Sequence, residues 1–258
     1  GEYYEDDSDS GPWSDNPEAG DSENPHVACR QSFSILMTDG FWNGGDPALN
    51  PDNQDDSAGD VITNHGGGDN FEYTPEDPFR DTAGNTLADV AMKYWKTDLR
   101  SDLDNLVSSS DLNPAFWQHM VTYSVGLGVN GVVEPDDAFN AIDSNDTINW
   151  PTPSRNDPST IDDLLHAAVN GHGGFFSAGD PDSFATELGG ILNEIQDRTT
   201  SATGAAASSP IFNDDTDRFK ATFRSADWSG DVVSEKIQSG DENWSAEAQL
   251  AQKDPGDR

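Results

Sequence analysis

The stretch SFSILMTDGFWNGG, residues 32 to 45, sets Asp39 directly behind an apolar run, with Gly40 following it. The run itself, Phe33 to Thr38, reads as a strand buried on both faces, as in a parallel sheet. Ligands of open α/β sheets collect beyond the carboxyl ends of the strands, so Asp39 stands where a side chain can face a crevice. Gly40 is expected to let the chain turn sharply away and leave the carboxylate room. An acid oxygen beside hydroxyls and water suits a hard divalent cation, Mg²⁺, Mn²⁺ or Ca²⁺. The plainer alternative is that Asp39 caps the following turn. Trp42, in the same loop, is a candidate partner-binding aromatic whose exposure the sequence leaves open.

A second group of acids, Asp52, Asp55, Asp56 and Asp60, has enough oxygens for a calcium loop. It lacks the ordered spacing of such loops and the closing glutamate, so a solvated acidic loop is expected. His26, His65, His119, His166 and His172 show no paired helical spacing for zinc, and His166 is expected to be a packed or surface residue. There is no nucleophile elbow, no phosphate loop and no cysteine with a plausible histidine partner, so an enzyme is not expected. Cys29 is the single cysteine, which rules out a disulfide within these residues.

The elements that must hold these residues belong to a strongly acidic chain. Its 258 residues carry 49 acids against 13 Lys and Arg, a formal charge of −36. Nucleic acid and anionic membrane are repelled by such a surface, and cations are attracted; the surplus serves equally as solvation or as adaptation to salt. No run approaches the roughly 18 apolar residues of a spanning helix. Gly1 begins neither a signal peptide nor an ordinary translation start, so a piece of a longer polypeptide is expected.

Residues 1 to 30 read as an extended acidic leader, with Pro12, Pro17 and Pro25 breaking any helix. Residues 40 to 85 are rich in Gly, Asn, Asp and Pro and read as an insertion, most flexible at Gly66 to Gly68. A helix follows, with Leu87, Val90, Ala91, Tyr94 and Trp95 on one face and Thr86 and Asp89 as a capping box. MVTYSVGLGV, residues 120 to 129, reads as a second buried strand, and a short helix is expected at 136 to 142. Ser159 or Thr160 is expected to cap a helix that Gly171 stops. A third strand in GGFFSAGD leads to a helix capped at Asp180 and lined by Phe184, Leu188, Ile191, Leu192 and Ile195. This alternation predicts a parallel sheet with right-handed crossovers and helices on both faces. Residues 199 to 209 read as a small-residue linker, after which FKATFRS and DVVSEKI begin an antiparallel sheet.

ILMTDG, TYSVGLGV and FFSAGDPDSFATELGGILNEI, in that order, resemble the second half of a von Willebrand factor A domain, whose fourth strand ends in the same Thr-Asp-Gly. The longer blocks CRQSFSILMTDGFWNG, PFRDTAGNTLADVAMKYWKTDLR and FWQHMVTYSVGLGV are closer still to the PilY-type type IV pilus assembly and tip-adhesin family. FRSADWSGDVV resembles the entry into that family's β-propeller. The resemblance implies an α/β, Rossmann-type A-like domain over residues 31 to 198, present in part, and a β-rich start over 199 to 258. It also implies a metal-ion-dependent adhesion site with Asp39 in the cation shell, an extracellular location on the pilus, and protein partners. Asp6, Ser8 and Ser10 fit the letters of the family's Asp-x-Ser-x-Ser, although no buried strand precedes them. Because the family's fourth strand lies beside its first, strand 33–38 is expected to present an open edge that pairs with another chain or an upstream fragment, or is held locally.

Overall fold

The computed structural model describes residues 1–15, 26–45, 47, 51–110, 113–178, 185–186, 188–193, 195, 205–207, 217–224, 229–236 and 242–251. The chain forms two compact units, Gly1–Ile191 and Leu192–Arg258. In the first, strands β1 (Ser32–Thr38), β2 (Met120–Leu127) and β3 (His172–Ala178) make a parallel sheet in the order β1-β2-β3. Helix α1 (Leu87–Lys96) lies between β1 and β2 in sequence, and α2 (Pro135–Ser144) and α3 (Ser159–Asn170) lie between β2 and β3. This is a Rossmann-like α/β arrangement with a three-stranded parallel sheet.

β2 is the central strand and is buried from Met120 to Gly126, which explains its unbroken apolar and small-residue composition. β1 differs from expectation. It lies at the edge of the sheet, most of it is only half-buried, and Met37 is 56% exposed, because β2 covers a single side. Helices α1 and α3 pack on each other and on β2, so both lie on one face of the sheet rather than on opposite faces. A strand order that always advances in one direction puts crossovers of a single hand on one side.

The capping box is present as expected. The Thr86 hydroxyl accepts from the Asp89 amide at 3.1 Å, and the Asp89 carboxylate accepts from the Thr86 amide at 2.9 Å. The α3 cap differs, for Pro158 stands at the boundary and Ser159 and Thr160 are already helical. Gly171 ends the helix, its amide donating to the Ala167 carbonyl. Of the following helix, residues 185, 186, 188–193 and 195 are helical; Ile191 is buried but Leu192 is 54% exposed. Asp180 and Phe184 lie outside the described residues.

The described part of the leader is not extended. Glu2–Glu5 form a 3-10 turn, and Trp13 is fully buried against Tyr94, Leu99 and Met120, with its indole N–H donating to the Tyr4 carbonyl at 2.8 Å. One indole removed from water outweighs the solvation preference of the acids around it. The Tyr4 hydroxyl donates to the Phe33 carbonyl at 2.7 Å, so the leader holds a point on β1.

The second unit contains an antiparallel sheet, β4 (Ala205–Ala207), β5 (Asp217–Arg224), β6 (Ser229–Lys236) and β7 (Glu242–Ser245), followed by a short helix, Ala246–Ala251. Residues 205 to 207, expected to be linker, pair with β5 as a strand, whereas β5 and β6 follow expectation.

Candidate functional site

Asp39 is exposed and follows the last residue of β1. Beside it the Thr38 hydroxyl donates to the Gly40 carbonyl at 2.7 Å, closing a tight local turn. Gly40 is not demanded by the backbone, since positive φ among the described glycines occurs at Gly67 and Gly128 and a Cβ at Gly40 meets open space. Gly67, at φ +87°, is the glycine in the predicted flexible triplet that its conformation requires.

Trp42 is half-buried, and its carbonyl accepts from the Asn156 amide at 3.0 Å. Its indole Nε1 is buried and has no hydrogen-bond partner among the described residues. It borders a cavity of about 550 Å³ at the carboxyl end of β1, walled by Leu36, Thr38, Thr86, Asp163 and Leu164. That volume falls within the range of ligand sites. Among the described residues, no group of three or more His, Cys, Asp or Glu side chains is placed to hold a metal ion. Asp6, Ser8 and Ser10 are drawn together in one turn, with Asp6 Oδ1 accepting from the Ser8 amide at 2.9 Å and the two hydroxyls 3.3 Å apart. Those hydrogen bonds hold the Asp6 carboxyl below its usual range.

The insertion departs most from the sequence reading. Asp52, Asp56 and Asp60 are exposed as expected, but Asp55 has no exposed surface. Its Oδ1 accepts from the Asp81 amide at 3.1 Å and its Oδ2 from Asn170 Nδ2 at 3.0 Å. His166 Nε2 lies 3.7 Å from that second oxygen and 2.6 Å from the Phe79 carbonyl, to which it donates. The imidazole stacks on Trp150 at 4.1 Å, with Nδ1 3.8 Å from Asp81. On the adjoining turn Asp163, from α3, accepts from the Leu87 and Ala88 amides at 3.1 Å each, completing the amino terminus of α1. His166 is thus packed, and the insertion is pinned to α1 and α3 by buried carboxyls.

Burial sets the protonation of this network. Removal from water pushes Asp55 up to about 8, Asp163 up to about 7 and Asp81 up to about 6, and pushes His166 down to about 3. Each group is driven toward its neutral form. Sequence reasoning missed this network, although its signal is present: Asp163, His166 and Asn170 recur at helical spacing along α3. Trp95, on the predicted apolar face of α1, and Trp117 are core residues, 2% and 0% exposed.

No family model matches the chain, and no solved structure matches it. Curated relatives do. The chain is 33% identical, over an alignment of 287 positions, to a protein described as type IV pilus biogenesis factor PilY1 from Pseudomonas aeruginosa strain PAK. Its identity to the protein of the same description from strain UCBPP-PA14 is 34% over 270 positions. The first alignment covers 97% of this chain and the second 90%. The chain spans 24% and 22% of the lengths of those relatives.

Proposed function

We propose that this chain, PilY-type in sequence along nearly all of its length, is part of a surface-located type IV pilus biogenesis factor that works by binding protein partners and not by turning over a substrate. The observation that carries the reading is the 33% identity over 97% of the chain to a protein described as a type IV pilus biogenesis factor. No helix among the described residues is long and apolar enough to cross a membrane. The partner-facing feature is the carboxyl end of β1, where the exposed Met37 lies on a strand paired on one side only and the exposed Asp39 follows it. An unpaired strand edge is a template for another strand, so strand 33–38 is the segment through which another chain would pair.

The finer reading is an A-type domain with a divalent cation at Asp39. The residues present fit such an ion in part. Asp39 offers one exposed carboxylate, but the adjacent Thr38 hydroxyl is engaged with Gly40, Asp163 in the wall of the nearby cavity accepts from the Leu87 and Ala88 amides, and no group of three or more His, Cys, Asp or Glu among the described residues is placed to hold an ion. Hard cations take about six oxygens, so the remaining ligands would come from water, from a partner or from segments beyond the described ones. A second reading is an assembly component that packs against other pilus proteins and binds no ion.

Thermal unfolding of the chain and of Asp39→Ala, with Mg²⁺, Mn²⁺, Ca²⁺ or EDTA at matched ionic strength, separates the two. A site filled at about a hundred times its dissociation constant stabilises by about 2.7 kcal/mol. That gain in the wild type, absent from the variant, supports the cation site; equal responses leave the assembly component. Normal piliation in cells whose gene lacks this segment would sink both.

A further inference from the structure

We propose that Asn43 and Gly44, in the loop after β1, form a self-modifying site at which the Asn43 carboxamide is converted to a carboxylate. The chemistry is intramolecular. The amide nitrogen of residue 44 loses its proton and attacks the side-chain carbonyl carbon of residue 43. A new C–N bond closes a five-membered imide, the bond to the carboxamide nitrogen breaks, and ammonia departs carrying the proton. Water then opens the imide at one carbonyl or the other and leaves aspartate or isoaspartate. Water is the only co-reactant, and nothing is oxidised or reduced.

Such an attack needs a carboxamide free to swing onto its own backbone. It also needs a following amide that is neither held in a hydrogen bond nor crowded by a Cβ, which a glycine supplies. Asn-Gly pairs stand at residues 43 and 44, 130 and 131, and 170 and 171, and the fold treats them differently. Asn43 and Gly44 are exposed, lie outside helix and strand, and make no hydrogen bond to another described residue. Asn170 is fully buried in α3, where its Nδ2 donates to Asp55 Oδ2 at 3.0 Å and to the Ala88 carbonyl at 3.3 Å. The Gly171 amide is engaged as well, donating to the Ala167 carbonyl at 3.0 Å. Asn130 is exposed, but its Oδ1 accepts from the Ser177 hydroxyl at 3.1 Å. A Cβ at Gly131 would fall 2.0 Å from Asp162 Oδ1, so that turn is packed against its neighbour. Of the three pairs, the first has both reacting groups at liberty.

The position gives the modification a consequence. Trp42 on one side of Asn43, and Gly44 and Gly45 on the other, wall the cavity at the carboxyl end of β1. Aspartate at residue 43 adds a carboxylate between Asp39 and Asp46 along the chain, which strengthens the attraction of that loop for a hard cation. Isoaspartate adds the same charge and also routes the backbone through the side-chain carbon. The chain is then one methylene longer immediately before the two glycines of the wall.

The test is timed peptide mapping by mass spectrometry of the full 258-residue chain, folded and in denaturing urea, in water labelled with heavy oxygen. In the folded chain residue 43 is expected to take up labelled oxygen in both the aspartate and the isoaspartate form, at a rate close to that of the unfolded chain. Asn170 reacts only when α3 opens, so folding should slow it by about a thousandfold or more, in line with the small fraction of open chain at ordinary stability. Mapping by residue separates this reaction from isomerisation at Asp39 and Gly40, which leaves no amide converted. Gly44→Ala is a clean control, because a Cβ there meets open space and the fold is kept. It should suppress conversion at residue 43 and leave the melting temperature unchanged. An unmodified residue 43, or conversion there no faster than at residues 130 and 170 of the folded chain, overturns the proposal. So does undiminished conversion in Gly44→Ala, because the route through the residue 44 amide is then not the one taken.

Discussion

Replacing Asp55 by Asn tests whether the buried network holds protons at neutral pH. In the folded chain this carboxyl is pushed up to about 8 by desolvation, against an ordinary value near 4 when unfolded. Its folded pKa is raised, so its contribution is fully present below the unfolded pKa and is lost as pH rises from about 4 to about 8. Each proton held by the folded chain and not by the unfolded one tilts stability by at most about 1.4 kcal/mol per pH unit. Asp163 and Asp81 tilt it the same way up to about 7 and about 6. His166 opposes them: its folded pKa is lowered to about 3, so its contribution is present above the unfolded pKa and is lost as pH falls toward 3. The net expectation is stability that declines between pH 5 and 8. Asp55→Asn keeps the shape of the side chain and can still pair with Asn170, whose Oδ1 is buried without a partner and turns inward when the amide flips. Urea unfolding at pH 5, 6 and 7, at fixed ionic strength, should show the variant gaining on the wild type by up to about 2.7 kcal/mol across those two units. Parallel profiles would mean that Asp55 is ionised in the fold, and the account of the network would fail.

Two further perturbations probe what holds the first unit together. Trp13→Ala should cost about 3–5 kcal/mol in chemical denaturation, the range for a buried aromatic, while a solvated leader would give a change near zero. Asp163→Ala orphans the Leu87 and Ala88 amides at the start of α1. About 1–3 kcal/mol for each is the expected loss, reduced by relief of a buried acid, and hydrogen exchange should accelerate first at residues 87 and 88.

How far the sequence revealed this structure depended on whether local signals agreed with burial. The Thr86 and Asp89 pair, the apolar face of α1 and the β-branched run of β2 all pointed the same way, and all three formed. The end of β1 was legible as a place, since an apolar run closing in Thr-Asp-Gly marks the mouth of a parallel sheet. What surrounds it was not. Composition read residues 1 to 30 as an extended acidic leader, but composition averages over a segment, and a single buried Trp13 decides where its first part lies. Asp55 was hidden for a similar reason, since a letter read as a charge stands for a group that burial drives to its neutral form.

That hidden neutrality bears on how the mouth of the sheet works. Residues 83 to 87 wall the same cavity as Thr38 and Trp42, and they are held from behind by Asp163, by Asp89 and by the Asp52 carbonyl accepting from the Asn85 amide. A long acidic insertion left to solvent would have to be ordered each time a partner arrived, at an entropic cost of about 1 kcal/mol or more per residue fixed. Tied to α1 and α3 through buried carboxyls, this side of the cavity is already formed in the free chain. In a chain of formal charge −36, carrying acids inward in neutral form also keeps their repulsion out of the core. The surface therefore stays strongly attractive to cations, while the framework beneath it depends on protons and tightens as pH falls toward 5.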